Sequence, residues 1–366
     1  MTIDEITSSR IEVLRFPLIA GIVLAHNFQT AVPLAGGSIG VTQNGFWVGF
    51  IIFYISQGVM RTAVSLFFLI SGYLFFSGEW SWQRYAGKLK RRFYTLFVPL
   101  LLWNLLTLAL FALAQNIPQT KIFFAGTVWP PVRSFSLMDY LNAVFGITVP
   151  FPIAVQFWFV RDLLALSLLA PAIYFLMARK AALLFVCALF CLWFFQLWPI
   201  LWPNVEATFS FALGAYLSLR AKNVAYLDKF GPWITAMFLG ILIPYAAFFW
   251  GSMYFHKVAV VLGVPSLWWL SRLVIGKPAL KSALARLGGA SFFIFAAHEP
   301  LLMIVRKLLF TLLLPTSAAA ILALYFSIPI CIVLALLVLY RLLVKIMPAF
   351  LGMASGEYRR SERQRA

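Results

Sequence analysis

Leu14-Arg-Phe-Pro-Leu-Ile-Ala-Gly-Ile-Val-Leu-Ala-His26 is the first long hydrophobic stretch of the chain, and it carries one charged and one titratable side chain. Such groups are costly inside a membrane helix, so they indicate a functional site. Eleven residues of α-helix bring Arg15 and His26 to within about 20° of one face, about 16 Å apart along the axis. The stretch therefore predicts a membrane helix with a cation near its start and an imidazole near mid-depth.

The composition extends this interpretation to the whole chain. Of its 366 residues, 63% are hydrophobic and 11% are charged, and the mean hydropathy is +0.93, outside the range of soluble domains. The net charge of +18 comes from short basic clusters between apolar segments, which favours membrane topology over a nucleic-acid partner. The cysteines lie inside apolar runs without paired spacing, so neither a disulfide framework nor a metal site is indicated.

Ten stretches are apolar enough to cross a bilayer, which needs about 20 residues. They cover residues 13–33, 56–77, 93–115, 157–177, 181–200, 205–220, 231–250, 256–271, 290–313 and 317–345. One set of alternate loops is basic and holds Arg84, Lys88, Lys90, Arg91, Arg92, Arg179, Lys180, Arg220, Lys222, Lys229, Arg272, Lys277, Lys281 and Arg286. The other set holds only Lys121, Arg133 and Lys257. The positive-inside rule then predicts an all-α, polytopic membrane helix bundle of about ten transmembrane helices, with both termini in the cytoplasm.

The segments outside these spans are short, with one exception. Residues 1–347 are expected to form one transmembrane domain, and 348–366 a basic, disordered cytoplasmic tail. In the long outer connection, 116–156, the sequence Ser136-Leu-Met-Asp139 predicts a capped helix start and Gly146 predicts its end. We expect a short amphipathic helix there, on the outer surface.

The polar side chains of the first span suggest chemistry. The imidazole of His26 is a candidate general base; the alternative is an interior histidine bonded to a neighbouring helix. Arg15 stays protonated, so it either pairs with a carboxylate or binds phosphate. Glu12 lies three residues earlier on the same helical face and is the candidate partner, and a purely structural ion pair is the alternative.

A basic cluster, Lys88-Leu-Lys-Arg91-Arg92, stands at the predicted cytoplasmic mouth of the third span. Cations three residues apart share a helix face, which suits a polyanion such as a phosphate. The alternative is the positive charge that any cytoplasmic helix end collects.

The fourth predicted span opens with Trp158-Phe-Val-Arg161-Asp162. Because adjacent residues on a helix do not face each other, we expect Arg161 and Asp162 to reach different partners. Together they indicate a polar cavity at the outer leaflet, or else a structural salt bridge between helices.

Two other spans carry distinctive residues. In His298-Glu299-Pro300 the proline frees a backbone carbonyl about one turn earlier, and the polar side chains suggest a cavity wall. Gly72 is expected to let a neighbouring helix approach closely.

Five short motifs follow one another along the chain. They are Arg15-x10-His26, Ser65-Leu-Phe-Phe-Leu-Ile-Ser-Gly-Tyr73, Lys88-x-x-Arg91 running into Leu96-Phe-Val-Pro99 and Trp103, Phe157-Trp-Phe159, and Ile294-Phe-Ala-Ala-His298-Glu-Pro300. In this order and spacing the chain resembles, over nearly its whole length, the acyltransferase-3 family of bacterial integral-membrane O-acyltransferases.

The resemblance implies an inner-membrane enzyme that moves an acyl group, usually acetyl from cytoplasmic acetyl-CoA, to a sugar hydroxyl. The acceptor would be a cell-surface glycan or its lipid-linked precursor, acyl-CoA would be a substrate, and no cofactor would be permanently bound. His26 would be the catalytic base or proton carrier, with Arg15 and Glu12 in support. The family's basic pair, matched by Lys88 and Arg91, would meet the coenzyme A phosphates beside Arg92; the first member is usually arginine, and lysine binds phosphate only as a point charge.

The predicted outer cavity supplies the candidate substrate-binding residues Trp158, Arg161, Asp162, His298 and Glu299. A transporter or flippase for a lipid-linked or small anionic substrate would also need intramembrane Arg and His, and a scaffold with paired buried charges is a third alternative. Membrane lipids and glycan-assembly proteins are the expected partners, without nucleic acid. The acceptor glycan, the acyl chain and the oligomeric state stay open at this level.

Overall fold

The computed structural model describes residues 5–34, 37–41, 45–118, 120, 129–220, 228–249 and 251–357, and these are mainly helical. The helices are α1 (Glu5–His26), α2 (Phe46–Ile52), α3 (Thr62–Phe76), α4 (Trp82–Arg92), α5 (Val98–Asn116), α6 (Leu137–Phe145), α7 (Trp158–Leu168), α8 (Ala170–Ala178), α9 (Ala182–Phe194), α10 (Val205–Arg220), α11 (Gly231–Phe248), α12 (Met253–Ile275), α13 (Pro278–Gly288), α14 (Ser291–Leu313), α15 (Ala318–Ile346) and α16 (Pro348–Ala354). Wider π-helical turns at Phe53–Met60 and Phe93–Phe97 join α2 to α3 and α4 to α5. Tight 3-10 turns occur at Val132–Ser134 and Val155–Phe157.

Five helical runs among the described residues are long and apolar enough to cross a membrane. They are Phe46–Phe76, Trp82–Asn116, Asp228–Phe248, Met253–Ile275 and Ala318–Ile346. Two bent pairs bring the number to seven if each pair is one span: α7 with α8, bent by 58°, and α13 with α14, bent by 62°. The chain is therefore a multi-pass membrane protein whose described residues are mainly helical and include one hairpin, while the count of ten spans and the orientation stay predictions.

The first predicted span, 13–33, ends earlier than expected. Helix α1 stops at His26, and strands β1 (Ala31–Leu34) and β2 (Gly37–Gly40) follow as an antiparallel hairpin that pairs Ala31 with Gly40. Asn27 is buried and its amide donates to the main-chain oxygens of α15 residues Leu324 and Tyr325, at 3.3 and 3.0 Å. Pro33 also disfavours helix in the residue before it.

The fourth predicted span, 157–177, is broken rather than continuous. Helices α7 and α8 meet at Leu169, where Pro171 near the start of α8 lacks the N–H that a continuous helix needs. The next predicted span, 181–200, is helical only over α9.

The predicted disordered tail, 348–366, is wrong over its first part. Residues 348–354 form α16, in which Leu351 and Ala354 are buried. Trp103 of α5 donates from its indole Nε1 to the Ala354 carbonyl at 2.9 Å. Residues 348–354 are apolar, unlike the arginine-rich residues after Gly356 on which the prediction of disorder rested, so they can pack as a helix. Residues 358–366 lie outside the described part of the chain.

The chain divides into two units, each assembled from three segments. The first unit comprises residues 1–21, 57–93 and 161–291, and the second comprises 22–56, 94–160 and 292–366.

Within the first unit, α3 and α10 cross very closely. A Cβ placed on Gly72 would lie 2.1 Å from the Phe211 carbonyl oxygen, and one on Gly214 would lie 2.1 Å from that of Leu69. Glycine is therefore required on both helices, which confirms the predicted close approach at Gly72.

Within the second unit, α6 forms as the sequence predicts. Ser136 and Asp139 make a reciprocal capping box, and Gly146 ends the helix in the left-handed conformation at φ 61°. The Ser136 hydroxyl and N–H both donate to the Asp139 carboxylate, at 2.7 and 2.8 Å, and they lower its pKa.

Candidate active site

The structure pairs His26, the last residue of α1, with Glu299 of α14 in the second unit. The distance from His26 Nδ1 to Glu299 Oε2 is 2.8 Å, and the side chains are 28% and 23% exposed. Because a carboxylate only accepts hydrogen bonds, Nδ1 carries the proton of the neutral imidazole. Nε2 is then left with its lone pair, which is the arrangement a general base requires.

His298 completes a cluster of three titratable residues. It is fully buried, and its Nδ1 donates to the main-chain oxygens of Phe295 and Ile294, at 2.7 and 3.3 Å. Its Nε2 lies 3.9 Å from Glu299 Oε2 and has no hydrogen-bond partner among the described residues. The ring meets that of His26 edge-on, with centroids 5.2 Å apart. His298 and Glu299 lie beside His26 in the structure, and their predicted binding of substrate stays a prediction.

A proline shapes the helix that carries this cluster. Pro300 lies inside α14, so the carbonyl of Ala296, four residues earlier, lacks its usual N–H partner. Gln156 fills the gap, since its Nε2 donates to that carbonyl at 2.7 Å. The freed carbonyl predicted from the sequence is confirmed, and Gln156 is the residue that satisfies it.

Arg306 holds the end of α1. Its Nη1 donates to the His26 carbonyl oxygen at 3.2 Å, and its side chain is buried two turns beyond Glu299 on α14. A cation is favourable at a helix C-terminus. Arg306 thereby fixes the backbone from which the His26 imidazole projects.

The same cluster has the residue types of a metal site. One ligand atom each from His26, His298 and Glu299 lie within 4.8 Å of one another, and two histidines with a carboxylate suit Zn²⁺. In the structure the 2.8 Å hydrogen bond between His26 and Glu299 occupies this space. The expectation that the protein needs no metal stays a prediction.

Lys88 of α4, in the first unit, is engaged by the main chain. Its ammonium donates to the carbonyl oxygens of Phe75 and Ser77, the latter at 3.2 Å, at the end of α3. The last carbonyls of a helix attract cations, so Lys88 has a structural partner whatever else it binds.

Its neighbours on α4 differ in exposure. Arg92 donates to the hydroxyls of Ser71 and Ser167, at 2.9 and 2.8 Å, while Arg91 is exposed. Of the three predicted phosphate-binding residues, Arg91 is the one held least by the protein. Their contact with coenzyme A stays a prediction.

The expectation that Arg161 and Asp162 reach different partners is wrong. Arg161 folds back onto its neighbour, with Nη2 at 2.9 Å and Nε at 3.0 Å from Asp162 Oδ1. The arginine side chain is long enough to bend back to the neighbouring carboxylate, which a shorter side chain could not reach. Asp162 is fully buried and its Oδ2 accepts the Asn204 N–H at 2.8 Å, just before α10. The pair, with Trp202 5.4 Å from the guanidinium, supports a structural role, but it forms within α7 and not between helices as the alternative expected.

Glu12 and Arg15 are both exposed on α1, and the described residues include no ion pair between them. The buried cation of this helix is Arg10, which pairs with Asp228 through both carboxylate oxygens, one of them at 3.0 Å. The sequence did not reveal this pair, because 218 residues separate its members.

A second polar cluster in the first unit was also missed. Glu206 of α10 accepts from the Ser65 hydroxyl of α3, and its other oxygen lies 3.6 Å from His256 Nε2 of α12. Glu206 and His256 each lie within the first turn of a predicted span, so ionisable residues at those positions were the available signal. Trp158, the remaining predicted substrate contact, is partly exposed at the start of α7.

Comparison with known proteins complements this geometry. A family model described as an acyltransferase domain matches residues 8–338. The chain is also similar to the succinoglycan biosynthesis protein ExoH of Rhizobium meliloti, with 25% identity over 371 aligned positions that cover 96% of this chain and 93% of the relative. No solved structure gives a significant match.

Proposed function

The chain belongs to the acyltransferase-3 family, and on that premise we propose that it is an O-acetyltransferase of the bacterial inner membrane. It takes acetyl from acyl-CoA on the cytoplasmic side and esterifies a hydroxyl of a cell-surface or lipid-linked polysaccharide. The hydrogen bond between His26 and Glu299 carries the proposal, because it prepares the base that such a transfer needs. The name of ExoH, a succinoglycan biosynthesis protein, supports a saccharide acceptor.

The reaction moves one proton from the attacking hydroxyl oxygen of the acceptor to the leaving sulfur of coenzyme A. As the acceptor hydroxyl attacks the thioester carbonyl, its proton passes to Nε2 of His26. The tetrahedral intermediate then collapses, the carbon–sulfur bond breaks, and the imidazolium returns the proton to the coenzyme A thiolate. Glu299 stabilises the imidazolium through Nδ1, as an acidic residue does for histidine in hydrolase triads.

Basic residues of α4 support the donor assignment. Arg91 is exposed and Lys88 and Arg92 add positive charge on the same helix, which favours binding of the coenzyme A phosphates. Arg15, exposed on α1 beside Glu12, is assigned to the support of His26 chemistry through its charge. The roles of Lys88, Arg91 and Arg15 rest on the family motifs that these residues match, and Arg92 is included because it follows Arg91 on α4.

Aromatic and polar residues suit the acceptor. The partly exposed indole of Trp158 offers a face on which a sugar ring can stack. Arg161 and Asp162 bind each other at the polar start of α7, and their contact with the saccharide is part of the proposal. Glycan-assembly proteins would supply the acceptor.

The proposal is tested with the purified full chain in lipid nanodiscs. With acetyl-labelled acetyl-CoA and a polysaccharide acceptor, we expect one coenzyme A thiol released for each ester formed, and no release beyond background without acceptor. In sealed proteoliposomes the same substrates distinguish the rival function. Movement of a lipid-linked or anionic substrate across the bilayer, without ester formation, would identify a transporter and refute the acyltransferase.

A further inference from the structure

A cavity of about 310 Å³ lies within the first unit, bounded by α1, α3, α9, α10 and α12. Its walls are almost entirely apolar and include Leu66, Ile70, Leu213, Val260, Val264 and Trp268. Water is poorly held in an apolar space, because it finds too few polar partners there. A hydrocarbon chain is the ligand chemistry that these walls fit.

Polar side chains adjoin one end of the cavity, its polar end. Trp268 lines the cavity, and the guanidinium carbon of Arg10 lies 5.3 Å from the centre of its indole ring. The cavity residues Thr7 and Ile11 flank Arg10 on α1. The buried ion pair between Arg10 and Asp228 therefore adjoins this end.

Two buried N–H donors at this end lack partners. Neither Arg10 Nε nor Trp268 Nε1 has a hydrogen-bond acceptor among the described residues. Buried donors in native proteins are nearly always satisfied by protein, water or ligand. An oxygen-bearing group at the polar end would satisfy both.

The charge at this end is positive. Asp228 faces two arginines, since Arg272 Nη1 lies 4.0 Å from its Oδ2 in addition to the Arg10 pair. Among the described residues, these two arginines and one carboxylate leave one positive charge over, and Arg272 is 57% exposed. The adjacent Lys229 adds a further cation, 4.7 Å from the Phe230 ring. This end is complementary to an anion that approaches from outside the helices.

The spacing along α12 puts these features in order. Val260 and Trp268 are eight residues apart, about 12 Å of helix, and Arg272 follows one turn later. An apolar path thus leads to a cationic group over the length of part of a lipid chain. We propose that this cavity binds one acyl chain of an anionic phospholipid, with its phosphate at Arg272 and its ester or phosphate oxygens at Arg10 and Trp268.

The test measures lipid retention by native mass spectrometry of the detergent-solubilised full chain, with phosphatidylglycerol and phosphatidylcholine as probes. We expect phosphatidylglycerol to bind more tightly, and Arg272→Ala to weaken its binding by roughly tenfold, the effect of one charge-assisted hydrogen bond. Arg286→Ala removes an equal, exposed charge on α13 and should leave the preference unchanged.

A second pair of variants tests the cavity itself. Val264→Trp fills the space and should abolish the tightly bound lipid, whereas Leu184→Trp on the exposed face of α9 should not. If Val264→Trp does not fold, Leu213→Phe narrows the same cavity from α10. Equal binding of the two lipids, or retention unaffected by the cavity variants, contradicts the proposal. Displacement of phosphatidylglycerol by long-chain acyl-CoA, or dimerisation that Val264→Trp abolishes, also contradicts it and identifies a different occupant.

Discussion

The catalytic proposal depends on how single residues hold one another. His26 is aimed by two contacts within the second unit: Glu299 binds its Nδ1, and Arg306 binds its main-chain oxygen. The first contact sets the tautomer, and the second sets the position of the helix end. A change at Glu299 should therefore affect the rate of chemistry more than substrate binding.

Glu299→Gln tests this positioning role. The amide cannot carry the negative charge that stabilises the imidazolium, so we expect kcat to fall by about 10²-fold or more, with the KM for acyl-CoA little changed. The assay is ester formation by purified protein. Glu79→Gln removes a carboxylate that is 88% exposed and is the matched control. A rise in the KM for acyl-CoA with an unchanged kcat would show that Glu299 binds substrate instead.

Two cations of α4 should separate in their effects. Arg91→Ala should raise the KM for acyl-CoA by about tenfold without lowering the unfolding temperature, because Arg91 is exposed and its expected partner is a phosphate. Lys88→Ala should lower the unfolding temperature, because its ammonium binds two carbonyls at the end of α3. Substrate kinetics and thermal unfolding of both variants measure these effects. If Lys90→Ala raised the KM for acyl-CoA as much as Arg91→Ala does, only the net charge of α4 would matter for donor binding.

The sequence predicted single residues better than their partners. His26 was identifiable because a titratable group in an apolar run is costly. Its partner was not, because Glu299 lies 273 residues away and only the packing of α14 brings it close. For the same reason the sequence suggested the nearby Glu12 as the partner of Arg15. The ion pair that the structure forms on α1 instead joins Arg10 to the distant Asp228.

At the scale of secondary-structure elements, close crossings and local backbone repairs stabilise the fold. Helices α3 and α10 touch through main-chain atoms, which only glycine permits. In α14, a side chain from another segment replaces the hydrogen bond that proline removes. Both arrangements make definite predictions for stability.

Gly72→Ala should destabilise the protein by about 1–3 kcal/mol, because the added methyl group must displace the main chain of Phe211. Gly240→Ala on α11 is the matched control, since a Cβ there meets no atom within 4 Å. Alanine favours helix over glycine by about 1 kcal/mol, so the control should be neutral or stabilising. Thermal unfolding measures both, and equal unfolding temperatures would contradict the crossing.

Gln156→Leu should also lower the unfolding temperature, since it leaves the buried Ala296 carbonyl without a donor, at a cost of about 1–3 kcal/mol. Adding Pro300→Ala restores a main-chain N–H that binds this carbonyl, so the double variant should recover much of the loss. Gln29→Leu, at an exposed position, serves as the control. Additive losses in the double variant would rule out the compensation.

Helices were predictable where neighbouring residues in the sequence, such as capping residues or an apolar run, determine their ends. Helix α10 has the bounds predicted for its span, and the capping residues of α6 fixed both of its ends. The end of α1 before the hairpin and the short helix α16 were missed, because Asn27 binds the distant helix α15 and α16 binds the distant helix α5. Periodicity and composition do not contain those contacts.

At the scale of the whole molecule, the two measures of membrane crossing differ. Length and composition give five spans, or seven with the bent pairs, among the described residues. Loop charges and hydrophobic stretches predict ten, which requires α1, α9 and α10 to cross as well, although none of the three is among the helices long and apolar enough to do so. The number of crossings before α4 decides which side of the membrane the proposed coenzyme A site on α4 faces.

Cysteine labelling resolves the topology. In a variant with the three native cysteines replaced by serine, Ile6→Cys and Glu79→Cys should react with an impermeant maleimide only from the cytoplasmic side. Arg133→Cys should react only from the outside. All three positions are exposed. If α1 does not cross, Ile6→Cys and Glu79→Cys will be labelled from opposite sides.

The central claim is that His26 takes the proton from the acceptor hydroxyl. The most direct measurement is the single-turnover rate of ester formation by purified His26→Ala, compared with wild type and with the exposed control Gln29→Ala. We predict a loss of about 10²- to 10⁴-fold for His26→Ala, the usual contribution of a general base, and a control rate near that of wild type. A folded His26→Ala protein that forms ester within a fewfold of the wild-type rate would contradict the account.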